Sequence, residues 1–249
     1  MEGTLSISTD INQLAEAFAK RLAEGVNQTG EDRTFTMALS GGSTPREVFK
    51  LLSSRFAGLI PWKRISIFWS DERCVPPWHS ESNYGMAKES LLKQIPVQEN
   101  QIFRIRGERD PADEAFRYAK IVEDHVPVRN QIPRFDMLLL GLGEDGHTAS
   151  IFPGHLHLFS DPRLFARTEH PVTGQARITM CGRIINNAHQ VVFLVRGQAK
   201  AGIVARVING EAGSEELPAS WIKPHPGERV WLLDQAAASQ LDPRLQAFF

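Results

Sequence analysis

Two cysteines in 249 residues, Cys74 and Cys181, leave no framework for a disulfide-stapled fold. With nothing to suggest secretion, both are expected to be reduced, semi-buried thiols. Residues 1–26 carry acidic and polar side chains throughout, without the apolar segment of a signal peptide. No apolar stretch is long enough to cross a bilayer, so no membrane partner is expected and a cytoplasmic location follows by elimination. No run of five or six like charges occurs, and the formal net charge is −1. That balance argues against a nucleic-acid partner, which calls for a basic excess or stripe. A small anionic substrate stays open, because basic groups distant in sequence can meet in a fold. No low-complexity linker or internal repeat is present, and a single domain over residues 1–249 is expected. With 42% hydrophobic residues, a chain of this length can bury a core without staples.

The marks of common metal and nucleotide sites are also missing. There is no H-E-x-x-H and neither cysteine has a C-x-x-C partner, so His155 and His157, close to His147, are not expected to form a metal site. Ser40–Arg46 lacks both the Gly-Lys-Ser/Thr ending of a Walker loop and the G-x-G-x-x-G fingerprint, which argues against a nucleotide at that turn.

What is present is an alternation of strands and helices. Asp10 can cap a helix in which Ile11, Leu14, Ala15, Phe18 and Leu22 recur at helical spacing. Thr34–Leu39 reads as a strand, and Pro45 opens a helix with Val48, Leu51, Leu52 and Phe56 in a stripe. Ile65–Trp69 reads as a buried strand, Ser82–Lys93 as a helix, and Ile102–Ile105 as a short strand. Asp110 and Pro111 open a further helix. Phe135–Leu140 is a nearly continuous apolar run, the pattern of a strand covered on both faces, and a helix start is expected near His147. Arg177–Cys181, Gln190–Val195 and Arg229–Leu233 read as strands, and Gln198–Ile208 as a helix stopped by Asn209-Gly210. This alternation predicts an α/β fold with a mainly parallel sheet and helices on both faces. Ligands of such sheets sit outside the carboxyl ends of the strands, which directs attention to Ser40–Arg46, Ser70–Arg73 and Gly141–His147.

Each of these segments supports two readings. In Ser40–Arg46, Gly41 and Gly42 let the backbone approach a ligand, Ser43 and Thr44 add hydroxyls, and Arg46 adds a charge beside helix N-terminal amides that favour an anion. The other reading is a tight turn with a Ser/Thr cap. In Gly141–Ser150, Asp145 stands two residues before His147, where it can orient an imidazole acting as general base; the other reading is a capped helix start. Asp71, Glu72 and Arg73 suit either substrate contacts or an exposed turn. Arg177 and Lys200, taken alone, suit solvated surface as well as an anion.

Taken together, Ser40-Gly-Gly-Ser-Thr-Pro45, Phe68-Trp-Ser-Asp-Glu-Arg73, Ser82-Asn83, Gly141–Ser150 with Phe152-Pro-Gly154, Arg177-Ile-Thr179, Gly197-x-x-Lys200-Ala201 and Pro218-Ala219 occur in the order seen in 6-phosphogluconolactonases. The chain resembles that family over roughly residues 10 to 235. The resemblance implies a three-layer αβα, modified Rossmann-like fold shared with glucosamine-6-phosphate deaminases. It also implies hydrolysis of 6-phospho-D-glucono-1,5-lactone without a cofactor, in the oxidative pentose phosphate pathway. By position, His147 would be the general base with Asp145 beside it. Gly41, Gly42, Ser43 and Thr44 would surround substrate oxygens. Arg73 and Lys200, with Arg177 as a weaker contact, would hold the phosphate. The expected partner is therefore a small phosphosugar lactone, acted on by a monomer or weak homodimer.

Two departures stand out: Trp78 occupies a position where many lactonases carry aspartate, and Pro171–Gln175 lacks their Pro-Lys pair. The deaminases are the nearest rival reading. Arg73 stands where they typically carry tyrosine, and Phe152 stands where their histidine loop places a glutamate. A sugar-phosphate sensor that binds without turnover is a further alternative.

Overall fold

The computed structural model describes residues 3–246. The ends of the expected 1–249 domain, residues 1–2 and 247–249, lie outside the described residues. In chain order the elements are β1 (Thr4–Ser8), α1 (Ile11–Gln28), β2 (Phe35–Leu39), α2 (Ser43–Arg55), β3 (Ile65–Trp69), β4 (Asp71–Arg73), α3 (Asn83–Ser90) and α4 (Pro111–His125). They continue with β5 (Val128–Arg129), β6 (Ile132–Pro133), β7 (Met137–Leu140), β8 (Phe165–Glu169), β9 (Ala176–Met180), α5 (Gly182–Ile185), β10 (Gln190–Val195), α6 (Ala201–Asn209), β11 (Glu228–Asp234), α7 (Gln235–Ala238) and α8 (Pro243–Gln246).

Helix α1 forms where its sequence said it would. Asp10 accepts the amides of Asn12 and Gln13 at 2.7 and 3.0 Å, and Leu14, Phe18, Leu22 and Val26 bury one face. Truncating a fully buried ring such as Phe18 to alanine would cost about 3–5 kcal/mol. Asp110 caps α4 in the same way through Ala112 and Asp113.

Six strands form one sheet in the order β1-β11-β10-β7-β2-β3, every neighbour parallel. Every residue of β2 and of β7 is buried, so helices cover both faces of the sheet centre, as the αβα expectation requires. Asp136 anchors the entry to β7. It is almost fully buried, takes two hydrogen bonds from Arg33 at 2.8 Å, and accepts the Thr36 amide at 2.8 Å. The chain runs outward from β2 to β3, then returns to β7 on the other side of β2. That reversal makes the β2/β7 boundary the topological switch point, where a crevice opens at the strands' carboxyl ends.

Several expectations are corrected. The segment Arg177–Cys181 is a strand, Ala176–Met180, but it lies outside the main sheet. It pairs antiparallel with β4 and β8 in a separate three-stranded sheet. Ile102–Ile105 is not a strand; Ile102 makes one bridge to Ile67, and Arg104 then turns to pair with Glu108 at 2.7 Å. The helix expected over 82–93 ends at Ser90 and gives way to a single 3-10 turn, Leu92–Gln94. The last helix before Gly210 begins as a 3-10 turn, Gln198–Lys200, and ends where the left-handed Gly210 (φ 67°) stops it. No helix starts at His147. Gly146 and Ala149 both have positive φ, 82° and 48°, which a right-handed helix does not tolerate. Both cysteines are free, Cys181 buried and Cys74 half-buried. No helix among the described residues is long and apolar enough to cross a membrane.

Candidate active site

The loops after β2, β3, β7 and β10 converge on one cleft of 190 Å³ at the switch point. Most residues singled out in the sequence line it. Gly41, Gly42, Ser43 and Thr44 come from the turn into α2. Asp71 and Arg73 come from β4, His147 from the loop after β7, Arg177 from β9 and Lys200 from the turn after β10. Arg46 does not. It faces a neighbouring cavity on another side of α2. At about 100° per residue, Arg46 lies some 200° around the helix from Thr44. Asp145 does not line the cleft itself but stands behind His147.

The imidazole is held from several directions. Its Nδ1 lies 2.6 Å from Asp145 Oδ1, and that same oxygen accepts the His147 amide at 3.1 Å. A carboxylate oxygen can only accept, so Nδ1 carries the hydrogen and Nε2 keeps its lone pair. Burial pushes the Asp145 carboxyl up, but the hydrogen bond and charge of His147 bring it below its ordinary value. A Cβ at Gly143 would lie 2.1 Å from His147 Nδ1, so only glycine lets the ring settle onto this turn. Phe152, fully buried, packs its ring 4.7 Å from the imidazole. The His147 side chain keeps 30% of its surface exposed, on the cleft side.

Opposite the imidazole, the turn Ser40–Gly42 enters α2 with no side chain capping the helix, so the amides of Ser43 and Thr44 are left for a ligand. Gly41 is held against Asn83, whose Oδ1 would lie 1.8 Å from a Cβ at that glycine. Asn83 is fixed in turn by its Nδ2, which donates to the Asp71 carbonyl at 2.9 Å. Asp71 accepts from Ser150 Oγ at 2.7 Å.

The positive end of the cleft is built on the small sheet. Arg73 lies opposite Arg177 in the β4–β9 pairing, and each has a buried Nε with no partner among the described residues. Burial, then the charge of Arg73, lower the Arg177 pKa from its ordinary value. Arg177 also stands 5.8 Å from the centre of the Phe152 ring. Lys200 Nζ is 3.9 Å from Glu144 Oε1.

Four contributors have roles that sequence reasoning did not assign. Arg196, directly after β10, lines the cleft and pairs with Glu47. Its position at a strand's carboxyl end was the available signal. Glu72 is buried and accepts from the Arg73, Asn83 and Tyr84 amides and from Ser82 Oγ, which seats the start of α3. Asn83 stood only inside a quoted motif, and Phe152 was read only as the residue in place of the deaminase glutamate. His155 donates to or accepts from Thr168 Oγ1 at 2.9 Å through Nδ1, and no group of three or more metal-ligating side chains is brought together among the described residues.

Comparison with known proteins identifies the family. The model for glucosamine-6-phosphate isomerases/6-phosphogluconolactonase matches residues 9–231. The chain belongs to that family. It is 42% identical over 188 residues to the 6-phosphogluconolactonase of Treponema pallidum, covering 76% of this chain and 78% of that protein. It is 40% identical over 206 residues to the 6-phosphogluconolactonase of Haemophilus influenzae, covering 82% and 87%. The solved structure of the 6-phosphogluconolactonase from Trypanosoma brucei superimposes with a TM-score of 0.84 at 28% identity, covering 97% of this chain and 99% of that one.

Proposed function

We propose that the chain, folded as one domain over residues 1–249, hydrolyses 6-phospho-D-glucono-1,5-lactone to 6-phospho-D-gluconate. This is the lactonase step of the oxidative pentose phosphate pathway. The observation that carries the reading is the 2.6 Å Asp145–His147 contact on the wall of a cleft that also holds Arg73, Arg177 and Lys200.

His147 Nε2 takes a proton from water as the water oxygen bonds to the lactone carbonyl carbon. Negative charge moves to the carbonyl oxygen, where loop amides of the Gly41–Thr44 turn are the available donors. The bond from that carbon to the ring oxygen then breaks, and the proton on His147 passes to the departing oxygen. Asp145 keeps the imidazole in the productive tautomer throughout. Arg73, Arg177 and Lys200 hold the phosphate at the other end, with charge-assisted hydrogen bonds. The step needs only water and protein side chains. The enzyme acts in the cytoplasm as a monomer or weak homodimer, without nucleic acid or membrane.

Phe152 supports this reading over deamination. A buried apolar ring packs on His147 at the place where the deaminases carry their glutamate, and it offers no proton for opening an amino sugar. The deciding assay supplies fresh phosphogluconolactone and follows 6-phosphogluconate above spontaneous hydrolysis. Turnover that His147→Ala lowers by about 10²–10⁴-fold is the expected result. Ammonia release from glucosamine-6-phosphate, or tight binding without turnover, would overturn it.

A further inference from the structure

A second cavity of 690 Å³ opens between α2 and α3, a size typical of small-molecule sites. Arg46 and Lys50 line it from α2, one turn apart, and Lys88 lines it from α3. Like charges at this spacing destabilise a helix unless something offsets them. Among the described residues no carboxylate does so by an ion pair. Glu89 also lines the cavity but pairs with Lys93, Glu47 pairs with Arg196, and among the described residues no ion pair reaches Arg46, Lys50 or Lys88.

At the rim of the same cavity Trp78 is 83% exposed, although an indole of that size is usually packed against the protein. Deeper in, the Tyr84 ring is approached by Arg104 at 5.3 Å and Lys88 at 6.0 Å. A free indole face calls for a planar ring, and three uncompensated cations call for several negative charges close together. A simple oxyanion would leave Trp78 unused, and an uncharged aromatic would leave the cations unused. We propose that the cavity between α2 and α3 binds a nucleoside polyphosphate, its base on Trp78 and its phosphates on Arg46, Lys50 and Lys88. The site is separate from the lactone cleft, so the proposal stands whether or not the lactonase reading does.

The test is calorimetric titration of the full chain with ADP, adenosine and pyrophosphate at about 0.1 M salt, where distant charges are screened. ADP should bind one to one, at least about tenfold tighter than adenosine or pyrophosphate, because base stacking and phosphate contacts each contribute. Trp78→Ala, and separately Lys50→Gln with Lys88→Gln, should each weaken ADP by about tenfold or more, with the melting temperature held. No binding at millimolar ADP overturns the proposal, and so does affinity unchanged in the variants. Pyrophosphate binding as tightly as ADP would mean an anion site only. Displacement by saturating 6-phosphogluconate would put the ligand in the lactone cleft. Both results overturn it.

Discussion

Arg73 stands directly opposite Arg177 across the antiparallel pair β4–β9. Like charges at opposed positions of a sheet destabilise it, and here both guanidiniums also leave a buried Nε without a partner. A fold has no use for this arrangement by itself. On the proposed reading, a dianionic phosphate would resolve it, by accepting from both groups and cancelling their repulsion.

Stability and affinity should therefore move in opposite directions at Arg177. Arg177→Met keeps the bulk and removes the charge. Denaturant unfolding of the variant without ligand should show no loss of stability, and a gain of up to about 1 kcal/mol. Its KM for the lactone should rise about tenfold or more, since a charge-assisted contact is lost. A variant that is less stable and has an unchanged KM would place the phosphate elsewhere.

The Asp145–His147 pair should behave as a unit. Asp145→Asn preserves shape, and its amide oxygen can still accept from Nδ1 and from the His147 amide, but it removes the negative charge that stabilises the imidazolium formed when His147 takes a proton. His147→Ala and Asp145→Asn should each lower kcat by about 10²–10⁴-fold, and the double variant little further. Calorimetric binding of 6-phosphogluconate should hold in all three. Simple multiplication of the two losses would mean that the residues act independently.

How much of this was legible in the sequence depended on how local each cause is. The helix with Leu14, Phe18 and Leu22 on one face, and the β2, β3 and β10 runs, carry their periodicity within a few residues. The small sheet does not. Asp71–Arg73 reads as a charged turn because its partner, Arg177–Thr179, lies a hundred residues away and leaves no trace nearby. The histidine loop shows its acid and glycines, but not the left-handed backbone at Ala149 that prevents a helix. Arg46 belongs to the right motif and points away from the cleft, because motif spacing does not report rotation around a helix. Phe152 reads as a missing glutamate, whereas in the fold it is the surface on which the imidazole rests.

That role makes Phe152 a positioning residue. Phe152→Leu retains most of the buried apolar volume, so its stability cost should stay near 1 kcal/mol, against about 3–5 kcal/mol for Phe152→Ala. The ring contacts to His147, at 4.7 Å, and to His170, at 5.1 Å, are lost in both variants. Steady-state kinetics of Phe152→Leu should show kcat reduced about tenfold with KM nearly unchanged. A variant with wild-type kcat would leave Asp145 and Gly143 as sufficient supports for the imidazole.

Glu72 gives the fold a pH-dependent stability of defined sign. Burial pushes its carboxyl up to about 7, against the amides of Tyr84, Asn83 and Arg73, which favour the ionised form. The unfolded chain holds that proton only to an ordinary carboxylate pKa near 4.5. Between those values the folded protein binds more protons than the unfolded one, so stability contributed by this group falls as pH rises through the window. The full contribution is about 3 kcal/mol, at 1.36 kcal/mol per pKa unit. Thermal or urea unfolding at pH 5 and pH 8 should show that drop in the wild type. Glu72→Gln, which cannot ionise, should lie closer to the wild type at pH 8 than at pH 5. If the gap between the two proteins is the same at both pH values, the four donors outweigh burial and Glu72 stays ionised across the whole range.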